Sequence, residues 1–352
     1  EYGLTIREAD HNWFLQNLES KLGGKRHPLT ASFELTWRCN FTCRHCYLGD
    51  APTGNPELST TAVLDLLDQM AALGVMGVSL TGGEPLLRDD FGVILRHAVQ
   101  TGFLVAVFTN GSRIDDNMAE LLANHPPQHL EVSLYGGSPE VYQQITGSAE
   151  NHPRVWAGID RLLDRGMHVL LKAVLLKPML ADVPAMRCQA AERSLTIRFD
   201  PGVDPTLRAD RSPLALRIEP EQGVAIELAD AERRERLCAY HQEWVQRGQS
   251  AKEQMCGAGF RAFHLDPAGH LMPCVLLRKP SLDTQTLGLA TAWNELGRLA
   301  RPDFAADSAC KRCDLKHLCS HCPGVEQLGD RSREGGNGFA CKLARARKSV
   351  VE

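Results

Sequence analysis

The chain has 352 residues, 43% of them hydrophobic and 23% charged, enough for a full core and two domains of ordinary size. Its 39 Lys and Arg against 43 Asp and Glu leave a net charge of -4, which offers no general attraction to phosphate backbones or anionic membranes and disfavours a nucleic-acid partner. No apolar run approaches the ~20 residues of a membrane span, and residues 1–25 scatter charges among short apolar groups, unlike a signal peptide. The chain starts at Glu1 and not at a methionine, so further upstream residues are expected.

Six short β-rich runs recur at wide intervals: 32–36 (SFELT), 77–81 (GVSLT), 104–109 (LVAVFT), 130–134 (LEVSL), 169–176 (VLLKAVLL) and 195–200 (LTIRFD). Between them lie amphipathic patterns over 60–73, capped by Ser59 or Thr60, then 91–100, 115–123 and 155–165. Strand and helix in alternation predict a parallel sheet with right-handed crossovers. Six such units suit an α/β fold of partial (β/α)6 TIM-like barrel type better than a closed eight-fold one. Ligands then collect at the C-terminal ends of the strands. After Asp200 the segment 200–214 is rich in Pro, Asp and Arg and reads as irregular. Residues 219–248 are polar and helical, and from Lys252 the chain is rich in Cys and Gly without sustained periodicity. The expected division is an N-terminal extension (1–30), the barrel (31–215), a helical bridge (216–250) and an irregular, ligand-stapled domain (251–352).

The 12 Cys are distributed unevenly, with three between Cys39 and Cys46, seven between Cys256 and Cys341, and Cys188 and Cys238 standing apart. Bunching at intervals of two or three residues, without an export signal, fits metal or iron–sulfur ligation in a reducing cytoplasm better than a secreted disulfide framework. Cys39, Cys43 and Cys46 form C-x3-C-x2-C directly after the first predicted strand. Three thiolates from one loop hold three corners of a cubane and leave one iron without a protein ligand. The competing reading is a zinc knuckle, in which His45 would be the fourth donor. A loop following the first strand of a barrel-like repeat favours the cluster.

This three-Cys loop resembles the signature of the radical S-adenosylmethionine (radical SAM) enzymes, with His45 just before the last Cys. The resemblance implies a [4Fe-4S] cluster whose open iron chelates S-adenosylmethionine. It also implies reductive cleavage to a 5′-deoxyadenosyl radical that abstracts hydrogen. Gly82-Gly83-Glu84-Pro85, after the second strand, is similar to the family's GGEP element, which contacts the methionine amino group. Ser133-Leu134-Tyr135-Gly136 resembles an SLDG-type element in which the Ser approaches the cofactor, although Tyr135 replaces the aspartate. The family likeness thus makes Gly82, Gly83, Glu84, Pro85 and Ser133 cofactor-binding candidates. Asn110 reads equally as a turn residue, and Lys172 and Arg198 either face the cavity or are solvated.

The C-terminal Cys run as Cys256, then Cys274, then Cys310-x2-Cys313-x5-Cys319-x2-Cys322, and finally Cys341. A zinc ribbon is the plain reading of paired C-x2-C elements, but the five-residue gap is short and seven ligands do not divide into fours. The arrangement resembles the SPASM domain of peptide and protein maturases, which implies two auxiliary [4Fe-4S] clusters and three clusters in all. By that likeness Cys256, Cys274 and Cys322 hold the nearer cluster and Cys310, Cys313, Cys319 and Cys341 the distal one. Only Ser320 and His321 separate the last central pair, one residue fewer than usual; the nearer cluster has either Cys238 as its fourth ligand or an open site, and a lone Cys on an amphipathic helix is more often a buried small hydrophobe. Cys188 reads as structural.

The expected function is oxidative modification or cross-linking of a side chain in a ribosomally made precursor peptide. The alternatives are a haem-type oxidative decarboxylation, sulfatase-type maturation, and a non-enzymatic zinc or iron–sulfur scaffold. Val275 follows Cys274 where sulfatase-maturing relatives carry an aspartate base, which weakens that third enzyme reading. The 30 residues before the barrel are too few for a winged-helix recognition domain, so peptide recognition falls to the barrel, the extension or a separate protein. An electron donor such as flavodoxin or ferredoxin is a further expected partner. No catalytic acid or base is assigned.

Overall fold

The structure, a computed structural model, describes residues 18, 21–22, 24–49, 56–247, 256–299, 310, 313–319, 322–328 and 338–352. Most of the expected 1–30 extension, the 248–255 junction and the pair Ser320 and His321 lie outside the described residues.

All six expected strands form: β1 (Thr30–Glu34), β2 (Gly77–Thr81), β3 (Leu104–Thr109), β4 (His129–Ser133), β5 (Leu170–Val174) and β6 (Ile197–Asp200). They pair in parallel, each with its neighbour in sequence. The crossovers carry α1 (Thr60–Ala72), α2 (Phe91–Thr101), α3 (Asp116–Asn124), α4 (Pro139–Thr146), α5 (Asn151–Leu163) and α6 (Val183–Ala191). The result is an open, partial α/β barrel.

Local chemistry sets the helix ends. Ser59 rather than Thr60 caps α1 by accepting from the Ala62 N–H, while the Thr60 hydroxyl donates to Asp90 at 2.6 Å. Asp115 and Ser138 cap α3 and α4 in the same way. Helix α5 starts at Asn151, earlier than the hydrophobic pattern alone predicts, because Pro153 falls in the first turn, where its missing N–H leaves no bond unmade. The polar stretch after residue 219 divides into α7 (Pro220–Glu227) and α8 (Ala231–Arg247), with Asp230 accepting from the Arg233 N–H at the new start.

The strands alternate in a way that sorts their two faces. Val78 and Leu80, Val105 and Val107, Leu130 and Val132, Leu171 and Ala173 are buried in one core with the apolar stripes of α1 and α2. Side chains of opposite parity, among them Thr81, Glu131, Ser133, Lys172, Arg198 and Asp200, line an interior cavity. A partly closed barrel keeps its concave face unfilled, so polar side chains persist there at little desolvation cost.

The C-terminal segment adds three strands to the same sheet. β7 (Ala262–Leu265) pairs parallel to β1 on the side away from β2, and the antiparallel β8 (His270–Met272) and β9 (Leu282–Asp283) complete the order β6-β5-β4-β3-β2-β1-β7-β8-β9. Strands this short carry too few alternations to be read from sequence, and their stability comes from a distant ladder partner. Among the helices that follow are α9 (Leu289–Leu299) and α10 (Phe339–Val351). Phe263 on β7 is 1% exposed and packs near Trp293 of α9, with ring centroids 5.7 Å apart. Phe263→Ala is therefore expected to cost about 3–5 kcal/mol in chemical denaturation, the range for a fully buried aromatic; a cost near zero would mean that β7 is not integral to the sheet. Among the described residues no helix is long and apolar enough to cross a membrane.

Candidate active site

The cavity of about 1030 Å³ lies at the C-terminal ends of the parallel strands, and Cys39, Cys43 and Cys46 line it. The loop that carries them begins where β1 ends and is seated on the Gly82-Gly83 turn after β2. Gly83 donates its N–H to Thr36 O and Glu84 its N–H to Arg38 O, both at 2.8 Å. A Cβ on Gly83 would stand 2.4 Å from Arg38 O, and one on Gly82, whose φ is +148°, 2.4 Å from Thr36 O. Both glycines are thus required for backbone to pack on backbone directly beneath the thiols.

Glu84 performs a different task from the rest of its motif. It is fully buried and accepts from Thr109 Oγ1 (2.7 Å), the Asn110 N–H (2.7 Å) and the Leu86 N–H (3.1 Å), so its carboxyl ties the end of β2 to the end of β3. Burial raises its pKa to about 7, against the lowering effect of those bonds. Gly82, Gly83 and Ser133 border the cavity, whereas Glu84 and Pro85 support it from behind. Ser133, Lys172 and Arg198 are successive register partners across β4, β5 and β6, and all three line the cavity, as does Asn110. Lys172 lies 3.8 Å from Asp200 and Arg198 3.0 Å from Glu131, so the far wall is polar and charge-balanced. The near wall is aromatic: the ring of Tyr135 sits 5.7 Å from those of both Phe41 and His45.

The thiols themselves suit a cationic group. Burial pushes Cys39 up to about 11, with the charges of Glu84 and Cys46 adding to it, and burial raises Cys43 and Cys46 as well, Cys43 further through its two partner thiols. Such thiols lose their protons when a metal shares the charge. The Phe41 N–H, 3.4 Å from Cys39 Sγ, is already directed at one of the sulfurs. Burial lowers His45 to about 4, so its ring is neutral, and its Nδ1 has no hydrogen-bond partner. Among the described residues no three His, Cys, Asp or Glu side chains are closed up around a single point; the thiols line the cavity wall instead.

Three of the C-terminal thiols, Cys256, Cys274 and Cys322, lie close together. Burial pushes Cys274 up to about 11, and the nearby Cys322 and Cys256 add to the rise; Cys322 is raised by burial and by Cys256 in turn. Cys310 accepts the Cys313 N–H through its carbonyl at 3.3 Å, and Cys319 Sγ lies 3.8 Å from Ala340 O, next to Cys341. Cys238 is half-buried on α8, and Cys188 is exposed on α6, 3.5 Å from Glu192. Helix α10, which carries Cys341, is fixed by Arg347, whose guanidinium bonds Glu227 of α7 and Leu318 O.

One buried group escaped the sequence reading. Glu34, at the end of β1, is 0% exposed and accepts from Tyr47 Oη at 2.7 Å and Arg278 at 2.9 and 3.0 Å, with His264 Nε2 at 3.3 Å. A charged residue between the apolar Phe33 and Leu35 is its one local signal. Burial acts to raise its pKa, but His264, Arg278 and the Tyr47 hydroxyl outweigh that and hold it at about 2, below the ordinary 4.5. Its folded pKa lies below its unfolded one, so its contribution to stability is complete above pH 4.5 and is lost as pH falls toward 2. Glu34→Gln is expected to flatten the fall in urea stability between about pH 5 and pH 3, and an unchanged acid limb would contradict this account.

A parallel partial barrel with three thiols lining a cavity at its strand ends defines an α/β enzyme-type scaffold. Residues 33–180 match the Radical SAM superfamily. The mycofactocin maturase MftC of Mycobacterium tuberculosis is 28% identical over 257 residues, covering 70% of this chain and 64% of the relative. The chain thus spans somewhat under two thirds of that relative's length. The AdoMet-dependent heme synthase of Methanosarcina barkeri is 24% identical over 320 residues, 84% of this chain and 91% of the relative. The fold is similar to that of Streptococcus suis SuiB bound to precursor peptide SuiA, with a TM-score of 0.72 at 17% identity over 94% of this chain and 80% of the other.

Proposed function

We propose that the chain is a radical SAM maturase that oxidatively modifies or cross-links a side chain of a ribosomally made peptide. The observation that carries this reading is the placement of Cys39, Cys43 and Cys46 on one wall of a cavity large enough for both a nucleoside cofactor and a substrate side chain. Such a cofactor site, when loaded, supplies a 5′-deoxyadenosyl radical for hydrogen abstraction. The chain's own residues hold and shield it. Gly82 and Gly83 bring backbone to the cofactor, Ser133 offers a hydroxyl from β4, and the charge-balanced far wall orients a polar substrate group. Cys256, Cys274 and Cys322 would hold one auxiliary [4Fe-4S] cluster and Cys310, Cys313, Cys319 and Cys341 a second, giving three with the first. We keep the division at 1–30, 31–215, 216–250 and 251–352, the last a SPASM-type segment whose β7 completes the barrel sheet. An electron donor such as flavodoxin or ferredoxin, a reducing cytoplasm, and peptide recognition by the barrel, the extension or a separate protein belong to the same proposal. Names of relatives support it, since MftC is a maturase and SuiB is seen with a precursor peptide.

The test is incubation of the reconstituted protein with candidate precursor peptides, S-adenosylmethionine and reductant. Loss of two hydrogens from the peptide is the expected result; an unaltered peptide mass with deuterium taken up from solvent would replace oxidation by epimerisation. The breadth of the match to the heme synthase supports a second reading, decarboxylation of a tetrapyrrole. Turnover of a tetrapyrrole, with no peptide product, would establish that reading instead. Tightly bound zinc and no cofactor cleavage would leave only a scaffold.

A further inference from the structure

Glu34 receives hydrogen bonds from both cysteine-bearing parts of the molecule. Tyr47, which donates to Glu34 Oε1 at 2.7 Å, directly follows Cys46. Arg278, which donates to both carboxylate oxygens, lies in the loop after Cys274 and also donates its Nε–H to Val275 O at 2.8 Å. The same loop turns the Leu277 N–H onto Cys274 Sγ at 3.2 Å. A continuous path therefore runs from Cys46 through Tyr47, Glu34 and Arg278 to the loop of Cys274. Its centre is a fully buried carboxylate on a central strand, so a shift of either loop takes one partner from a desolvated charge and leaves it to the other loop and to His264 at 3.3 Å.

We propose that Glu34 is a positioning residue that couples the Cys39–Cys46 loop to the Cys256, Cys274 and Cys322 site, so that order at either set of thiols is transmitted to the other. The inference rests on the maturase reading, in which both sets are cluster ligands. Coupling of this kind is reciprocal: a perturbation on the Arg278 side must loosen the Tyr47 side, and the reverse. A merely structural ion pair would loosen only the segment in which the substitution lies.

Amide hydrogen exchange on the cluster-loaded full chain tests this. The Cys46 and Gly49 amides, which close onto Cys43 O and Cys46 O, report on one side; those of Cys274 and Leu277 report on the other. Arg278→Gln is expected to accelerate Cys46 and Gly49 about tenfold, as for loss of a hydrogen bond to a charged group, with β3 and β4 unchanged. Tyr47→Phe, which removes a single hydroxyl, is expected to accelerate Cys274 and Leu277, and Arg278→Lys to restore part of the protection at Cys46. If each substitution accelerates only its own side, the coupling is overturned; should Arg278→Gln fail to fold, Tyr47→Phe decides alone. Absence of S-adenosylmethionine cleavage by the unsubstituted protein would overturn the functional reading while leaving the exchange result intact.

Discussion

Replacing Cys43 by alanine is expected to reduce S-adenosylmethionine cleavage to background and to lower iron content by about four per chain, one [4Fe-4S] cluster. Burial and its two partner thiols raise the Cys43 thiol, and it packs against the main core. The C-terminal thiols lie on other segments, and their share of the iron should survive. Iron analysis and chromatography of 5′-deoxyadenosine check both parts. Normal cleavage by this variant would contradict the assignment of the loop, and loss of all iron would mean that the sites fill together.

Gly83→Ala is expected to be nearly as harmful without touching a thiol. Its new methyl group would meet Arg38 O at 2.4 Å and Trp37 O at 2.7 Å, both main-chain atoms that cannot rotate away. Relief requires the 36–38 segment to lift from the turn after β2, carrying Cys39 with it. The overpacking cost is about 1–3 kcal/mol, and a shift of this kind at a reactive site lowers cleavage on the order of a hundredfold. Thermal denaturation with cleavage rates separates the two effects. Wild-type activity with unchanged stability would show that the turn does not seat the loop.

The difference between what was legible in the sequence and what was not follows the range of the interactions. C-x3-C-x2-C, GGEP and the six alternating strands are local patterns, and each appears where its spacing predicts. The orientation of Lys172 and Arg198 required the register that pairs them with Ser133, which no single strand encodes. Glu84 belongs to a recognisable motif, yet its buried role depends on Thr109 and Asn110 of the next strand. Glu34 and Arg278 are 244 residues apart, and β7 has only four residues in a Cys- and Gly-rich setting. Nothing in either neighbourhood announces the other.

The pairing of β7 with β1 has a consequence for the order of assembly. Thr30 is among the first described residues and Ala262 among the last third of the chain, yet they are ladder partners. During synthesis β1 can pair with β2 early, but its other edge stays open until the chain has grown past β7. The Cys39–Cys46 loop leaves from the end of that half-paired strand, and Arg278 reaches Glu34 only afterwards. A chain whose synthesis has not yet passed β7 therefore presents that loop without its second support.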